Sequence, residues 1–128
     1  MTFTILDSLL FPRLDRDDPR AHELVSRCLR LSCTGTEMIP LWNRLATEGW
    51  VTVTSSTTEI PGELDDAARL QIRAEIDAIV ARDLFALTRP ELEYILTTFP
   101  TQQRYQKEKY GEFRSRRLIL EAFEQVRV

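Results

Sequence analysis

Residues 64–87 read LDDAARLQIRAEIDAIVARDLFAL, and this stretch decides the fold. Its apolar residues recur at helical spacing, so it predicts one long amphipathic helix. The acidic Glu63, Asp65 and Asp66 suit the positive N-terminal end of such a helix. The predicted buried stripe consists of Leu64, Ala68, Ile72, Ile76, Ile79, Val80, Leu84 and Leu87. Charged residues at i, i+4 spacing on the other side are expected to face solvent: Asp65, Arg69, Arg73 and Asp77.

Two further helices are predicted before this stretch. Asp17 and Asp18 can cap a helix over Pro19–Cys33, with the proline near its first position. Gly35 breaks that helix, and Thr36 can cap a second one that continues to about residue 47. The residues expected to face inward are Ala21, Leu24, Val25, Cys28, Leu29 and Leu31 on the first helix, and Ile39, Trp42 and Leu45 or Ala46 on the second. The natural interpretation is a helical hairpin.

Two more helices are predicted after it. Residues 88–91, Thr-Arg-Pro-Glu, have the spacing of a capping box and start a helix that stops before Phe99 and Pro100. The segment from Thr101 to Gly111 is polar and is interpreted as a connection. A last helix is predicted from residue 112 to about residue 126. Inward positions are Leu92, Ile95 and Leu96 on the first of these helices, and Phe113, Leu118, Ile119, Ala122, Phe123 and Val126 on the last.

These elements predict a mainly α fold in one domain, residues 1–128, built as a compact bundle of four to six helices. The β-branched, polar stretch after Gly49 predicts one extended connection between Trp50 and Ile60. A loop is favoured there over a short edge strand. No apolar run approaches a membrane span, and Leu9, Leu10 and Phe11 lack the flanks of a signal peptide. A cytoplasmic protein with no membrane partner and two reduced cysteines is therefore expected.

Catalytic and cofactor sites find little support in this sequence. The one histidine, His22, stands at a helix start, where a solvated or capping role is favoured over catalysis. Two cysteines and one isolated histidine do not make a zinc motif. The four glycines are dispersed, so no phosphate-binding loop is formed. We therefore expect no enzyme activity, no metal and no cofactor.

Positive charge is concentrated at the C-terminal end. Residues 1–99 carry 10 Lys and Arg against 16 Asp and Glu, whereas residues 100–128 carry 7 against 4. Tyr105 and Tyr110 lie among these cations, and such a mixture can contact nucleic acid through charge and stacking. The candidate DNA-binding residues are Arg104, Lys107, Lys109, Arg114, Arg116 and Arg117. An ordinary solvated helix surface and a protein contact are the alternatives for the same segment.

The order of motifs resembles a known family. Residues 73–78 read RAEIDA, residues 84–96 read LFALTRPELEYIL, residues 98–100 read TFP, and residues 111–123 read GEFRSRRLILEAF. This order resembles the C-terminal segment of fused type II restriction-modification enzymes and of adenine-specific DNA methyltransferases of phage-defence systems. The resemblance is strongest over residues 69–123. One departure is Phe85 and Ala86, where the family commonly has Tyr-Gly.

The resemblance implies a supporting role. The family's methyl transfer depends on an Asn-Pro-Pro-Tyr-type motif, which this sequence lacks, as it lacks a nuclease motif. The segment resembled follows the methyltransferase core, near the region that recognises target DNA. The leading hypothesis is therefore a non-catalytic module that supports target recognition or contacts the DNA backbone. The alternative is a subunit that docks onto a larger methyltransferase, nuclease or helicase without touching nucleic acid.

Overall fold

The computed structural model describes residues 14–51 and 59–125. Over these residues it contains six α-helices and no β-strand, which confirms the predicted helical bundle. The helices are α1 Pro19–Ser32, α2 Ile39–Thr47, α3 Asp66–Ile79, α4 Arg89–Leu96, α5 Pro100–Tyr110 and α6 Arg114–Glu124. A 3₁₀ turn, Thr36–Met38, precedes α2, and a π-helical turn, Val80–Leu84, continues α3. Most of the predicted extended connection and position 126 lie outside the described residues.

Helices α1 and α2 form the predicted hairpin. The Asp18 carboxylate accepts a hydrogen bond from the Arg20 amide at 2.9 Å and caps α1. The hairpin encloses a core of Leu29, Cys33, Trp42 and Val51, with Val25, Met38, Leu45, Ala46 and Trp50 packed against it. Cys28, expected to face inward, is exposed, because it is rotated by about 100° from the buried Leu29 around the helix.

Helix α3 confirms the predicted central amphipathic helix. It begins at Asp66, two residues after Leu64, the first residue of the predicted apolar stripe. Asp65 is the N-cap, and its carboxylate accepts from the Ala68 amide at 2.9 Å. Leu64 therefore precedes the helix and is 60% exposed, so its predicted place in the buried stripe is wrong. Ile72, Ala74, Ala78 and Ile79 are buried.

Helix α3 packs most extensively against α6 and next against α1. Its contact with α6 and α4 forms the larger core, which contains Ala74, Ala81, Leu92, Leu96, Ile119 and Leu120, with Leu87, Leu118 and Phe123 at its edge. Arg27 on α1 forms a 3.2 Å ion pair with Glu75 on α3. Helix α3, the predicted central helix, is thus the element on which both α1 and α6 pack.

The end of α3 is a π-helical turn. The Phe85 amide donates to the Val80 carbonyl at 3.1 Å, one residue further back than in an α-helix. Ala86 follows with φ of +52°, a left-handed conformation that a β-carbon disfavours. Leu87 then returns to the core. The reversal of the chain before α4 therefore depends on a non-glycine residue with positive φ.

Helix α4 begins with the predicted capping box. The Thr88 hydroxyl accepts from the Glu91 amide, and the Glu91 carboxylate accepts from the Thr88 amide at 2.8 Å. The hydrogen bonds that the Thr88 amide and hydroxyl donate to this carboxylate lower the pKa of Glu91. Leu92 and Leu96 are buried as predicted, but Ile95 is 38% exposed. The prediction for Ile95 is wrong because this short helix buries only one narrow face.

The chain before α3 docks on the end of α1. The amides of Gly62 and Glu63 donate at 2.8 Å to the carbonyls of Cys33 and Arg30, which a helix end leaves without helical partners. Arg69 donates to the carbonyl of Leu31 at 3.0 Å. The expected solvent-facing role of Arg69 is therefore wrong, because its guanidinium reaches across to cap α1. No helix among the described residues is long and apolar enough to span a membrane.

Candidate nucleic-acid interface

The candidate basic segment consists of two helices. The stretch from Thr101 to Gly111, interpreted as a connection, is helix α5, so that interpretation is wrong. Pro100 opens it at a position that needs no amide hydrogen, and Gly111 ends it with φ of +77°. Helix α5 carries almost no apolar stripe, and Gln106 is its one buried residue. The proline and glycine at its ends, with Gln, Lys and Glu between them, were the available signal.

Gln106 joins α5 to α6. The residue is 2% exposed, and its side-chain carbonyl accepts from the Ser115 amide at 2.8 Å. Its amide group donates to the Ser115 hydroxyl at 2.6 Å. Ser115 lies in the first turn of α6, whose amides have no helical partner, and the N-cap residue Phe113 supplies no side-chain hydrogen bond. Gln106 therefore caps α6 from the neighbouring helix.

The structure divides the six candidate cations between different surfaces. Lys107, Arg116 and Arg117 line one groove, which also includes Arg89 at the start of α4. We call this surface, bordered by α4, α5 and α6, the α4–α6 groove. Lys109 lines a separate cavity between α3, α5 and α6. Arg104 is exposed on α5, almost one turn before Lys107. The six residues are therefore not one continuous patch.

The carboxylates of the α4–α6 groove form ion pairs with two arginines. Arg117 pairs with Glu112 and Glu121, each at 3.1 Å. Arg89 pairs with Glu124. The hydrogen bond from Arg117 lowers the pKa of Glu112, because it stabilises the ionised carboxylate.

Two cations of this groove remain available. Lys107 and Arg116 are exposed and form no ion pair with any residue in the described part of the chain. They come from α5 and α6 respectively and face the same groove. Arg104 is likewise exposed and has no ion-pair partner within residues 14–51 and 59–125. Phosphate oxygens would therefore meet donors that no neighbouring carboxylate already holds.

The other face of α5 has an aromatic character. The Lys109 ammonium lies 5.9 Å from the Tyr105 ring centre and 5.3 Å from that of Tyr110. The Arg114 guanidinium lies 4.2 Å from the Tyr110 ring centre and also contacts Glu112 at 3.4 Å. A hydrogen bond with Tyr110 raises the pKa of Lys109, which keeps its amine charged. The interleaved cations and tyrosines of the sequence thus form cation–π contacts.

The cavity beside this face, which we call the α5 cavity, has a volume of about 510 Å³. Its walls include Phe99, Tyr105, Tyr110 and Phe113, and its polar groups include Arg73, Asp77, Gln102 and Lys109. Desolvation in this concave surface raises the pKa of Asp77, and the nearby Arg73 partly offsets the effect. Sequence reasoning missed this cavity, because Arg73 and Asp77 fitted a solvated helix face and α5 was not recognised.

The histidine and the buried cysteine, which were considered for catalysis or metal binding, make packing contacts instead. His22 stacks on Trp50 with ring centres 4.6 Å apart, and Arg16 lies 5.5 Å from the centre of the same indole ring. Cys33 is buried, which raises the pKa of its thiol and disfavours the reactive thiolate. The described residues contain no group of three or more His, Cys, Asp or Glu side chains arranged to hold a metal ion.

Comparisons with protein-family models, with curated proteins and with solved structures find no match to this chain.

Proposed function

We propose that this chain is a non-catalytic DNA-contacting module of a restriction-modification or phage-defence system. It binds backbone phosphates through Lys107 and Arg116 in the α4–α6 groove and through Arg104 beside it. The single observation that supports this most strongly is that Lys107 and Arg116 face one groove from two helices without carboxylate partners among the described residues. The resemblance of residues 69–123 to the C-terminal segment of such enzymes supports the biological setting.

Ion pairing within the chain determines which cations are available to bind phosphate. A phosphate that approached Arg117 would compete with Glu112 and Glu121, whereas one that approached Lys107 or Arg116 meets no competing carboxylate among the described residues. The overall charge of −3 opposes general attraction to DNA, so contact has to be local. The interaction is accordingly modest, salt-dependent and independent of base sequence. Such binding positions a larger enzyme on its duplex and leaves recognition of the target to that enzyme.

Duplex binding by substituted chains tests the proposal. The variant R104A/K107A/R116A removes three exposed cations, and we expect it to weaken binding of a duplex about tenfold or more at low salt. The control R16A/R30A/R44A removes the same charge from exposed residues of the N-terminal half, where their contacts are surface contacts of small energy. Equal losses in the two variants would reduce the effect to net charge, and no loss in either would contradict the proposal.

A second candidate function rests on exposed apolar side chains of α4. Tyr94 is 72% exposed and Ile95 38%, and both line a shallow cleft with Leu87 and Pro90. Exposed apolar clusters mark protein interfaces. This surface supports the alternative of a subunit that docks onto a larger methyltransferase, nuclease or helicase. Y94S/I95S should then abolish co-purification with that enzyme while duplex binding by the isolated chain is unchanged.

A further inference from the structure

The α5 cavity has the size and lining of a small-molecule site. Its volume of about 510 Å³ lies within the range of ligand-binding cavities, about 300–1,000 Å³. Tyr105 is 56% exposed and Phe99 50%, which leaves two aromatic rings of the lining accessible. Phe113 is buried at the opposite end of α5, near Tyr110. A planar, apolar ring surface is the natural complement of such walls.

The polar groups of the cavity are open to a ligand. Gln106 and Ser115 bind each other, but Arg73, Asp77 and Gln102 form no hydrogen bond or ion pair with any residue in the described ranges. The Asp77 carboxylate is exposed at the cavity, so its oxygens can accept hydrogen bonds from a ligand. Gln102 adds one donor and one acceptor group. The lining can thus accept hydrogen bonds from the donors on the polar edge of a heterocyclic ring.

The charge of the cavity selects an anionic ligand. Its ionisable lining consists of two cations, Arg73 and Lys109, one carboxylate, Asp77, and two tyrosines. The two cations come from different helices, α3 and α5. In the first turn of α6, by contrast, Arg114 and Arg117 form ion pairs with Glu112. A phosphate can therefore bind at the cavity while a ring lies against its aromatic wall.

We propose that the α5 cavity binds one nucleotide, with its base against Tyr105 and Phe99, its ring donors on Asp77, and its phosphate at Lys109 and Arg73. The ligand is either a free mononucleotide or an unpaired nucleotide of a single strand. Guanine fits best, because its adjacent N1–H and amino group can donate together to one carboxylate. Thymine offers a single donor on that edge. This site is separate from the α4–α6 groove and does not depend on duplex binding there.

Calorimetric titration of the full chain with dGMP, TMP and inorganic phosphate tests the proposal. We expect saturable binding of dGMP, at least about fivefold tighter than TMP, and weaker binding of phosphate alone. D77N should remove the preference for dGMP over TMP. Y105A should weaken dGMP by about fivefold or more, since stacking contributes an amount of this order per base. The control F85A removes another exposed aromatic ring, outside the cavity, and should bind dGMP like the native chain.

Two oligonucleotides distinguish the sources of the ligand. A ten-residue thymidine strand with one central guanosine is compared with an all-thymidine strand. Preference for the guanosine strand, lost in D77N, assigns an unpaired nucleotide, whereas binding of dGMP without that preference assigns a free nucleotide. Absence of saturable nucleotide binding, equal binding of dGMP and phosphate, or equal effects of Y105A and F85A would overturn the proposal. Circular dichroism of each variant establishes that it is folded.

Discussion

The guanidinium of Arg117 lies 3.1 Å from the carboxylate of Glu112. This pair places a negative charge in the middle of the most basic part of the sequence, and Arg114 contacts the same carboxylate at 3.4 Å. Charge counted along the chain therefore overstates the charge that DNA would meet. The proposed phosphate contacts are therefore assigned to Lys107, Arg116 and Arg104, and not to Arg114 and Arg117.

The same pair predicts a pH dependence of stability. The pKa of Glu112 is lower in the folded chain than its ordinary value of 4.5, because Arg117 hydrogen-bonds to the carboxylate. Its contribution is therefore present above about pH 4.5 and is lost as the pH falls through the folded pKa. E112Q should lower the urea midpoint at pH 7, and the effect should be smaller at pH 3 because the contribution decreases below about pH 4.5. E108Q, an exposed substitution on α5, is the control. An equal E112Q effect at both pH values would contradict this account.

Gly62 is required by the docking of residues 61–63 on α1. A β-carbon at this position would lie 2.4 Å from the Cys33 carbonyl oxygen, so the backbones have to separate. G62A should lower the free energy of unfolding by about 2 kcal/mol, as for other overpacked sites. At Gly35 the nearest atoms belong to the flexible Glu37 side chain, so the control G35A should cost less. Equal costs measured by urea denaturation would refute the backbone argument.

Gln106 should contribute stability out of proportion to its polar character. Q106L keeps the side chain's approximate volume but leaves the amide and hydroxyl of Ser115 without their partner. A loss of about 1–3 kcal/mol is expected. Q103L, one turn earlier on α5 and less buried, should cost under about 1 kcal/mol. Denaturation curves for the two variants that coincide would show that Gln106 does not cap α6.

Ala86 is a site where substitution should stabilise the chain. Its φ of +52° strains any residue with a β-carbon, and glycine removes that strain at some cost in backbone entropy. A86G should raise the free energy of unfolding by about 0.5–1 kcal/mol. A lower thermal midpoint for A86G would contradict the left-handed assignment.

The parts of the fold that the sequence predicts are those with an apolar stripe and a local end signal. Helix α3 has both, and the capping box between Thr88 and Glu91 is formed by residues three positions apart. Helix α1 has an acidic cap and a proline at its start. Such signals involve residues close together in the sequence, so they can be recognised without knowledge of the tertiary contacts.

The parts that the sequence does not predict depend on distant contacts. Helix α5 lacks an apolar stripe because it packs through Gln106, and nothing in the sequence pairs that residue with Ser115. Arg69 appeared solvated because its partner carbonyl belongs to α1. The division of the basic residues between a groove and a cavity likewise follows only once α5 is a helix.

The most direct test of the proposed DNA contact in the α4–α6 groove is the salt dependence of duplex binding. Each phosphate neutralised contributes about −0.9 to the slope of the logarithm of the binding constant against that of the salt concentration. The native chain should therefore have a slope of about −2.7 or steeper, and R104A/K107A/R116A should be shallower by two to three (roughly one per cation removed). The control R16A/R30A/R44A should keep the native slope. A triple variant of the groove with the native slope would contradict the claim that these three cations contact DNA.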